Sequence, residues 1–390
     1  MDNKQKDVIV GEQWLVLSKI GQGSFGEVFK VQDLISKQLF AIKREPLDLE
    51  HPQLYHEHKI YSVLKHGPGI PTCHWYGQFD GFDCIVIDLL GTSLKQFQET
   101  VCHIPLDVVI DLGCQLITCL EFIHDKGIVY RDMKPENILF SASCLVPSSY
   151  YQPPIQSPPP SPPSCRSILN SWDKSSVYLV DFGLANYWRH PKTKKPYPEC
   201  KKPLKYKTGT ARYASLNVHR GRTHARRDDM ESLGYVLLDL LLDGQLPWSG
   251  ITAKTCKQGW DSLLRIKEDM SLHEMCLGLP QGILHFIDYT RRLRYNDRPD
   301  YDYLRRVLRG CHESGPFSKI VSQRKRENSH ESYLKSQTKE QDVFKMDDLV
   351  RELPKHKSFY SSTTPRRQRY SSSSVHKKYS GWNVHQQWEK

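Results

Sequence analysis

Apolar positions in the first hundred residues fall in short β-favouring runs, and their spacing predicts strands with one helix. Trp14 to Ile20, Glu27 to Val31 and Leu39 to Lys43 are such runs, separated by turn-like stretches. After Pro52, residues Leu54, Ile60, Val63 and Leu64 lie near one helical stripe, and Gly67 supplies a stop signal. Cys84 to Leu90 is an apolar run broken only by Asp88, the pattern of a buried strand. From Leu106 the period changes. Val109, Leu112, Leu116, Leu120 and Ile123 recur at three- and four-residue steps, predicting a core-facing helix that ends before Gly127. Met230 to Leu242 is apolar nearly all round, as expected of a helix at the centre of a large domain. Strands followed by helices predict an α+β chain in two lobes, a small β-rich N-lobe and a larger, mainly helical C-lobe.

Two stretches break the pattern. Ser141 to Ser176 contains SSYYQPPIQSPPPSPPS, too proline-rich for helix or central strand, and reads as a surface insertion. Beyond about residue 315 the chain turns polar and Ser-rich, the composition of a disordered tail. The expected organisation is an N-terminal extension over 1–11, one domain over 12–310 and a basic tail over 311–390. Within the domain, the N-lobe covers about 12–90, the C-lobe about 91–310 and the insertion about 141–176.

Charge sharpens this division. The 390 residues carry a formal +11, which favours acidic partners. From Gly315 to Lys390, 16 Lys/Arg stand against 8 Asp/Glu, so +8 of that excess lies in the tail. No nucleic-acid reading module accompanies it, and no specific nucleic-acid partner is expected. The 11 cysteines are scattered without a Cys-x-x-Cys pair, which fits free thiols in cytoplasm or nucleus. No apolar stretch approaches a spanning helix, and QQWEK carries no prenylation box; a soluble monomer without a membrane anchor is expected.

Three signals carry chemistry. Gly21-Gln22-Gly23-Ser24-Phe25-Gly26-Glu27-Val28 is glycine-rich, and glycine lets backbone amides approach phosphate oxygens. A strand-like EVFKVQD follows rather than a helix, so a strand–loop–strand flap is predicted, not a dinucleotide fold. Ala41-Ile42-Lys43 then places a lysine on the third strand, with Glu57 on the helix its best partner; Glu45 and Glu50 precede that helix. Finally, Tyr130-Arg131-Asp132-Met133-Lys134-Pro135-Glu136-Asn137 follows the long helix, and Asp181-Phe182-Gly183 follows the insertion. Phosphoryl transfer needs in-line placement and charge neutralisation more than covalent help. Asp132 is suited to accept a hydroxyl's hydrogen bond, and Asp181 with Asn137 to hold Mg2+.

Together these residues resemble a eukaryotic protein kinase, and further details resemble the casein kinase 1 family. Thr208-Gly-Thr-Ala-Arg212-Tyr-Ala-Ser215-Leu-Asn217 stands where most kinases have Ala-Pro-Glu, and Arg226-Arg-Asp-Asp229-Met-Glu-Ser-Leu-Gly234 contains the aspartate that braces the catalytic loop. His51-Pro-Gln-Leu54, Leu246-Pro-Trp248 and Arg298-Pro-Asp-Tyr-Asp-Tyr-Leu304 also match. The resemblance covers about residues 12 to 310. It implies the kinase fold, ATP and magnesium as cofactors, and Ser/Thr transfer to acidic or phosphate-primed proteins. It also implies that Ile20, Val28, Ala41 and Leu139 sandwich the adenine, with Ile87 as gatekeeper and Leu89–Leu90 as hinge. Lys134 would steady the transferred phosphate. Arg212 and Gly250 would form part of a substrate anion site.

The chain departs from that pattern at Tyr130, where most kinases have His, and at Gly259, where the anion site would have a lysine that Lys254 or Lys257 could replace. The insertion is a third departure. Arg189 to Lys207 is strongly basic beside the expected substrate cleft; it is either a solvated loop or, as its location favours, an attractor of acidic substrates. Pro159-Pro-Ser-Pro162 is either passive or a ligand for an SH3/WW domain. Pro365-Arg-Arg-Gln-Arg369 is a solvated run or a nuclear-import patch, and Ser371 to Ser374 are candidate phosphorylation sites in a tail that could fold back on Arg212. Two other classes compete with an enzyme: a silent scaffold, against which Lys43, Asp132, Asn137 and Asp181 all argue, and a basic nucleic-acid binder.

Overall fold

The N-terminal strands pair into one antiparallel sheet of order β1-β2-β3-β4-β6-β5. A computed structural model describes residues 7–23, 26–101, 103–142, 176–204, 206–311 and 344–345. The strands are β1 (Ile9–Val10), β2 (Trp14–Gly23), β3 (Gly26–Asp33), β4 (Leu39–Pro46), β5 (Cys73–Phe79) and β6 (Phe82–Asp88). Period-two alternation divides their side chains between two faces. Trp14, Phe29, Val31, Ile42, Cys84 and Val86 pack on the outer face, while Ala41, Ile85 and Ile87 join the main core. Both faces of β6 are covered, which is why its sequence is apolar without alternation. β1 pairs with β2 through Ile9↔Leu15 and Val10↔Trp14, so the sheet begins inside the stretch expected to be an extension. The edge strand β5 has no counterpart in the predicted elements.

Helix α1 (Leu54–Leu64) lies between β4 and β5 in sequence and buries Leu54, Glu57, Ile60, Tyr61 and Leu64. Val63, assigned to that stripe by spacing, is 37% exposed instead. Gln53 provides no side-chain cap. Instead the buried Glu45 carboxylate accepts from the backbone N–H of Gln53 (2.9 Å) and Leu54 (2.7 Å), meeting orphan donors at the positive end of the helix dipole.

The larger lobe is helical: α2 (Leu94–Thr100), α3 (Leu106–Asp125), α4 (Leu216–His219), α5 (Arg226–Leu241), α6 (Cys256–Asp269), α7 (Leu272–Met275), α8 (Gln281–Arg292) and α9 (Tyr301–Arg309). Every residue of α5 is buried, including Arg226, Arg227, Asp228 and Asp229. It packs against α3 and α8, and α9 closes over α3 and α8. Between α3 and α4 lie the short strands β7 (Ile128–Val129), β8 (Ile138–Phe140), β9 (Val177–Leu179) and β10 (Asn186–Tyr187). β8 pairs with β9 and β7 with β10, so the loops that follow β7 and β9 are brought together.

Residues 143–175 between β8 and β9 lie outside the described residues, and with them the proline-rich insertion and its SH3/WW motif. The tail from 312 lies outside them too, except β12 (Phe344–Lys345), which pairs antiparallel with β11 (Thr252–Ala253). Among the described residues no helix is long and apolar enough to cross a membrane.

Candidate active site

The glycine-rich stretch forms the predicted strand–loop–strand hairpin. Gly21 faces Val28 and Gly23 faces Gly26 across β2 and β3; Ser24 and Phe25 lie outside the described residues. A register irregularity between Lys19 and Gly21 sets off Ile20, which is 48% exposed. Gly26 has φ +154°, and a Cβ there would collide with the Arg44 carbonyl of β4, so the hairpin lies closer to its neighbour than any other residue permits. Gln22 and Glu27 turn their side chains to Lys19, at 2.8 and 2.6 Å. Arg44 holds Glu27 through Nε (3.0 Å) and a terminal nitrogen (2.6 Å), its guanidinium 4.0 Å from the Phe82 ring centroid. The hydrogen bond from Lys19 outweighs burial and, with Arg44, lowers the Glu27 pKa.

Beneath the hairpin, β4 pairs Ala41 with Ile87 and Lys43 with Ile85. Ala41 and Ile87 are buried; Val28, Leu89, Leu90 and Leu139 are half-buried. The segment after β6 is tied to β8 by the Gly91 N–H donating to the Phe140 carbonyl at 2.9 Å. Lys43 Nζ reaches Glu57 Oε2 at 2.7 Å and Asp181 Oδ1 at 3.0 Å. Burial pulls its pKa down, but the charges of Asp181 and Glu57 prevail and hold it above the ordinary lysine value. The lysine therefore stays charged. One cation thus joins α1 to the segment after β9.

Asp229 organises the loop after β7. Its Oδ2 accepts from Tyr130 N (2.7 Å) and its Oδ1 from Arg131 N (2.8 Å), with His124 and His224 ring nitrogens at 2.9 and 3.1 Å. Burial alone would raise this carboxyl; the two histidine hydrogen bonds lead the groups that instead hold it well below the usual range. With its backbone so fixed, the loop presents Asp132, which is 1% exposed. Thr210 Oγ1 donates to Asp132 Oδ1 at 2.8 Å, and Asn137 Nδ2 and Lys134 Nζ approach Oδ2 at 3.1 and 3.0 Å. Gly209, at φ +94°, sits where a Cβ would strike the Arg131 carbonyl, which lets this segment close on Asp132.

Asp181 and Arg131 adopt left-handed backbone, φ 61° and 76°, a strained state that persists only where surroundings impose it. Around Asp181 those surroundings are visible. The Tyr130 hydroxyl donates to the Val180 carbonyl at 2.6 Å, Phe182 N–H donates to Glu57 at 3.3 Å, and the Phe182 ring meets Tyr61 and Tyr130 edge-on at 5.0 and 5.3 Å.

Oxygen donors suit a hard cation. Asn137 commits its amide nitrogen to Asp132, which leaves its amide oxygen as the atom suited to a cation, and Asp181 supplies a carboxylate. Among the described residues no cluster of three or more His, Cys, Asp or Glu could cage a metal. A single carboxylate and an amide match magnesium, which is held by few protein ligands together with phosphate oxygens.

The residues expected to form the anion site have these surroundings. Arg212 donates to Asp239 Oδ1 (2.8 Å) and the Gly244 carbonyl (2.7 Å), inside the domain. Gly250 lies in a turn with open space beside it, Gly259 is buried in α6, and Lys254 and Lys257 are exposed. Residue spacing did not single out Thr210 against Asp132, the Tyr130 hydroxyl against Val180, or Asp239; none belongs to a motif that names its partner.

A family model for the protein kinase domain matches residues 14–304. Over 301 residues the chain is 37% identical to casein kinase I homolog 2 of Schizosaccharomyces pombe, an overlap of 77% of this chain and 62% of that protein. The chain therefore spans less than two thirds of that relative's length.

Proposed function

The chain belongs to the protein kinase family, on its casein kinase 1 branch, and from that premise we propose that it transfers the γ-phosphate of ATP to Ser or Thr hydroxyls of acidic or phosphorylated proteins. The observation that carries this reading is the double grip of Lys43 on Glu57 and Asp181, at 2.7 and 3.0 Å, beside a buried Asp132. A charged lysine so held suits the phosphates of a nucleotide under the Gly21–Gly26 hairpin, with the adenine between Ile20, Val28 and Ala41 above and Leu139 below. Ile87 lines the back, and Leu89–Leu90 the hinge.

Asp181 and Asn137 are the residues that would hold magnesium, which when bound supplies charge neutralisation on the phosphate oxygens. Asp132 orients the attacking hydroxyl and accepts its hydrogen bond, a role suited to a carboxylate held by Thr210 and Asn137. Lys134, already 3.0 Å from Asp132, steadies the phosphoryl group in transit. Glu27 acts through the hairpin backbone, since its carboxylate is engaged by Lys19 and Arg44. Lys192, Lys194, Lys195, Lys201 and Lys202 are exposed in the segment leading to Thr208–Arg212, and they raise the local concentration of acidic substrates. The enzyme acts as a monomer in cytoplasm or nucleus.

Transfer from Mg-ATP to casein, compared between wild type and Asp132→Asn, tests the assignment. Loss of at least about a hundredfold in kcat with ATP binding retained is expected for removal of a group acting on the reacting hydroxyl. Equal transfer by both proteins would remove Asp132 from the reaction.

A further inference from the structure

Arg212 lies two residues beyond Thr210, whose hydroxyl donates to Asp132 Oδ1 at 2.8 Å, so its backbone is close in sequence to a residue that touches the reacting carboxylate. Its charge is already met from within. Asp239 Oδ1 lies 2.8 Å from the guanidinium, and the two side chains are only 11% and 2% exposed. The same Arg212 nitrogen donates to Gly244 O at 2.7 Å. Asp239 is also engaged on its other oxygen, by the Tyr213 hydroxyl at 3.2 Å and Gln98 Nε2 at 3.3 Å. The backbone is pinned as well: the Arg212 carbonyl accepts from Trp248 Nε1 (2.9 Å) and Lys267 Nζ (3.0 Å). Turning the guanidinium outward would strand the Asp239 charge inside fully buried α5, opposed among the described residues by the neutral donors Tyr213 and Gln98.

We propose that Asp239 is a built-in counter-ion that occupies Arg212, so that this enzyme selects acidic substrates without requiring a phosphate upstream of the target. The inference rests on the kinase reading and narrows its substrate class. Lys207 pairs with Asp261 at 3.3 Å and Arg220 with Glu268 at 2.7 Å, both part-exposed pairs unlike the buried one at Arg212. Position 259 in the adjoining α6 carries no charge. Recognition of acidic residues falls to the exposed lysines 192 to 202 and to Lys254 and Lys257, a diffuse field that attracts carboxylates without a socket shaped for one phosphate. Asp239 is thus a specificity-determining residue.

The test compares two peptides, an acidic Ser-containing sequence and the same sequence with phosphoserine scanned over the positions preceding the target. For wild type, kcat/KM for the two should agree within about threefold, since no new charge-assisted hydrogen bond is formed. Asp239→Asn keeps the shape of the side chain and removes its charge; it should prefer the phosphopeptide by about tenfold or more, the effect of one such bond to a released arginine. A wild-type preference of that size overturns the proposal without any variant, and so does a folded Asp239→Asn protein with an unchanged ratio. Fluorescence anisotropy of both labelled peptides gives the same ratio for a chain that transfers no phosphate. Absence of transfer would therefore count against the kinase reading, while the binding ratio still decides the role of Asp239.

Discussion

Tyr130→Phe removes one hydroxyl and leaves the ring that meets Phe182. In the native protein that hydroxyl donates to the Val180 carbonyl at 2.6 Å, next to the left-handed Asp181. Val180 also donates its own N–H to the Asn137 carbonyl at 3.1 Å, and that bond survives the substitution. Tyr130 is fully buried but Val180 only half-buried, so the released carbonyl regains some solvent and the loss should be about 1 kcal/mol rather than the upper end for an orphaned group. For a domain of this size that corresponds to a fall in Tm of roughly 2–4 °C. If the bond helps hold Asp181 at 3.0 Å from Lys43, the same energy lowers kcat by roughly fivefold, while KM for peptide, read by other residues, stays constant. Differential scanning fluorimetry and steady-state kinetics with Mg-ATP and casein measure both. An unchanged kcat alongside a lowered Tm would show that the hydroxyl supports the fold but not Asp181. A loss of a thousandfold would refute the magnitude and make Tyr130 part of the chemistry.

Arg44→Leu should free Glu27 from one of its two cations and loosen the hairpin, raising KM for ATP by roughly fivefold, the equivalent of about 1 kcal/mol at a part-exposed pair; an unchanged KM would show that the hairpin does not depend on this clamp. Acid should destabilise the domain in two stages. His124 and His219 are buried, and burial, aided at His219 by the nearby Lys267 charge, depresses their pKa values. Unfolded histidines take up protons near pH 6.5, so stability is complete above that range and falls as pH drops below it. Asp229, depressed on folding, adds a further loss below about pH 4, where only the unfolded carboxyl protonates. Thermal melts between pH 7.5 and 5 should show a steady fall in Tm, and a flat profile would contradict the buried neutral histidines.

Local regularities were enough for much of the fold. The runs at Trp14, Glu27 and Leu39, the stripe from Val109 to Ile123 and the all-apolar Met230 segment each became the element their period demands, because periodicity is set by neighbours a few residues away. The candidate site was readable for a related reason. Phosphoryl transfer restricts residue type and spacing, so Lys43, Glu57, Asp132, Asn137 and Asp181 stand out before any contact is known, and the hydrogen bonds of Lys43 join two of them to it. Strand β5 was missed because an edge strand alternates only weakly: CHWYGQF contains no fully buried residue.

Other features needed the assembled chain. Lys267 lies in an amphipathic helix and reads as one more surface lysine, yet it is fully buried, bonded to the carbonyls of Ala211, Arg212 and Ala214 across more than fifty residues of sequence. Arg212 reads as a cation awaiting a substrate anion until α5 brings Asp239 against it. Val63 matched the apolar stripe of α1 and faces solvent, while Glu57 and Tyr61 turn inward. Sequence by itself determined which residues can carry charge, form a strand or hold a phosphate, since those properties reside in the residue and its near neighbours. Tertiary structure decided which charges remain available, because a buried charge must be compensated and its partner comes from whichever distant segment packs beside it.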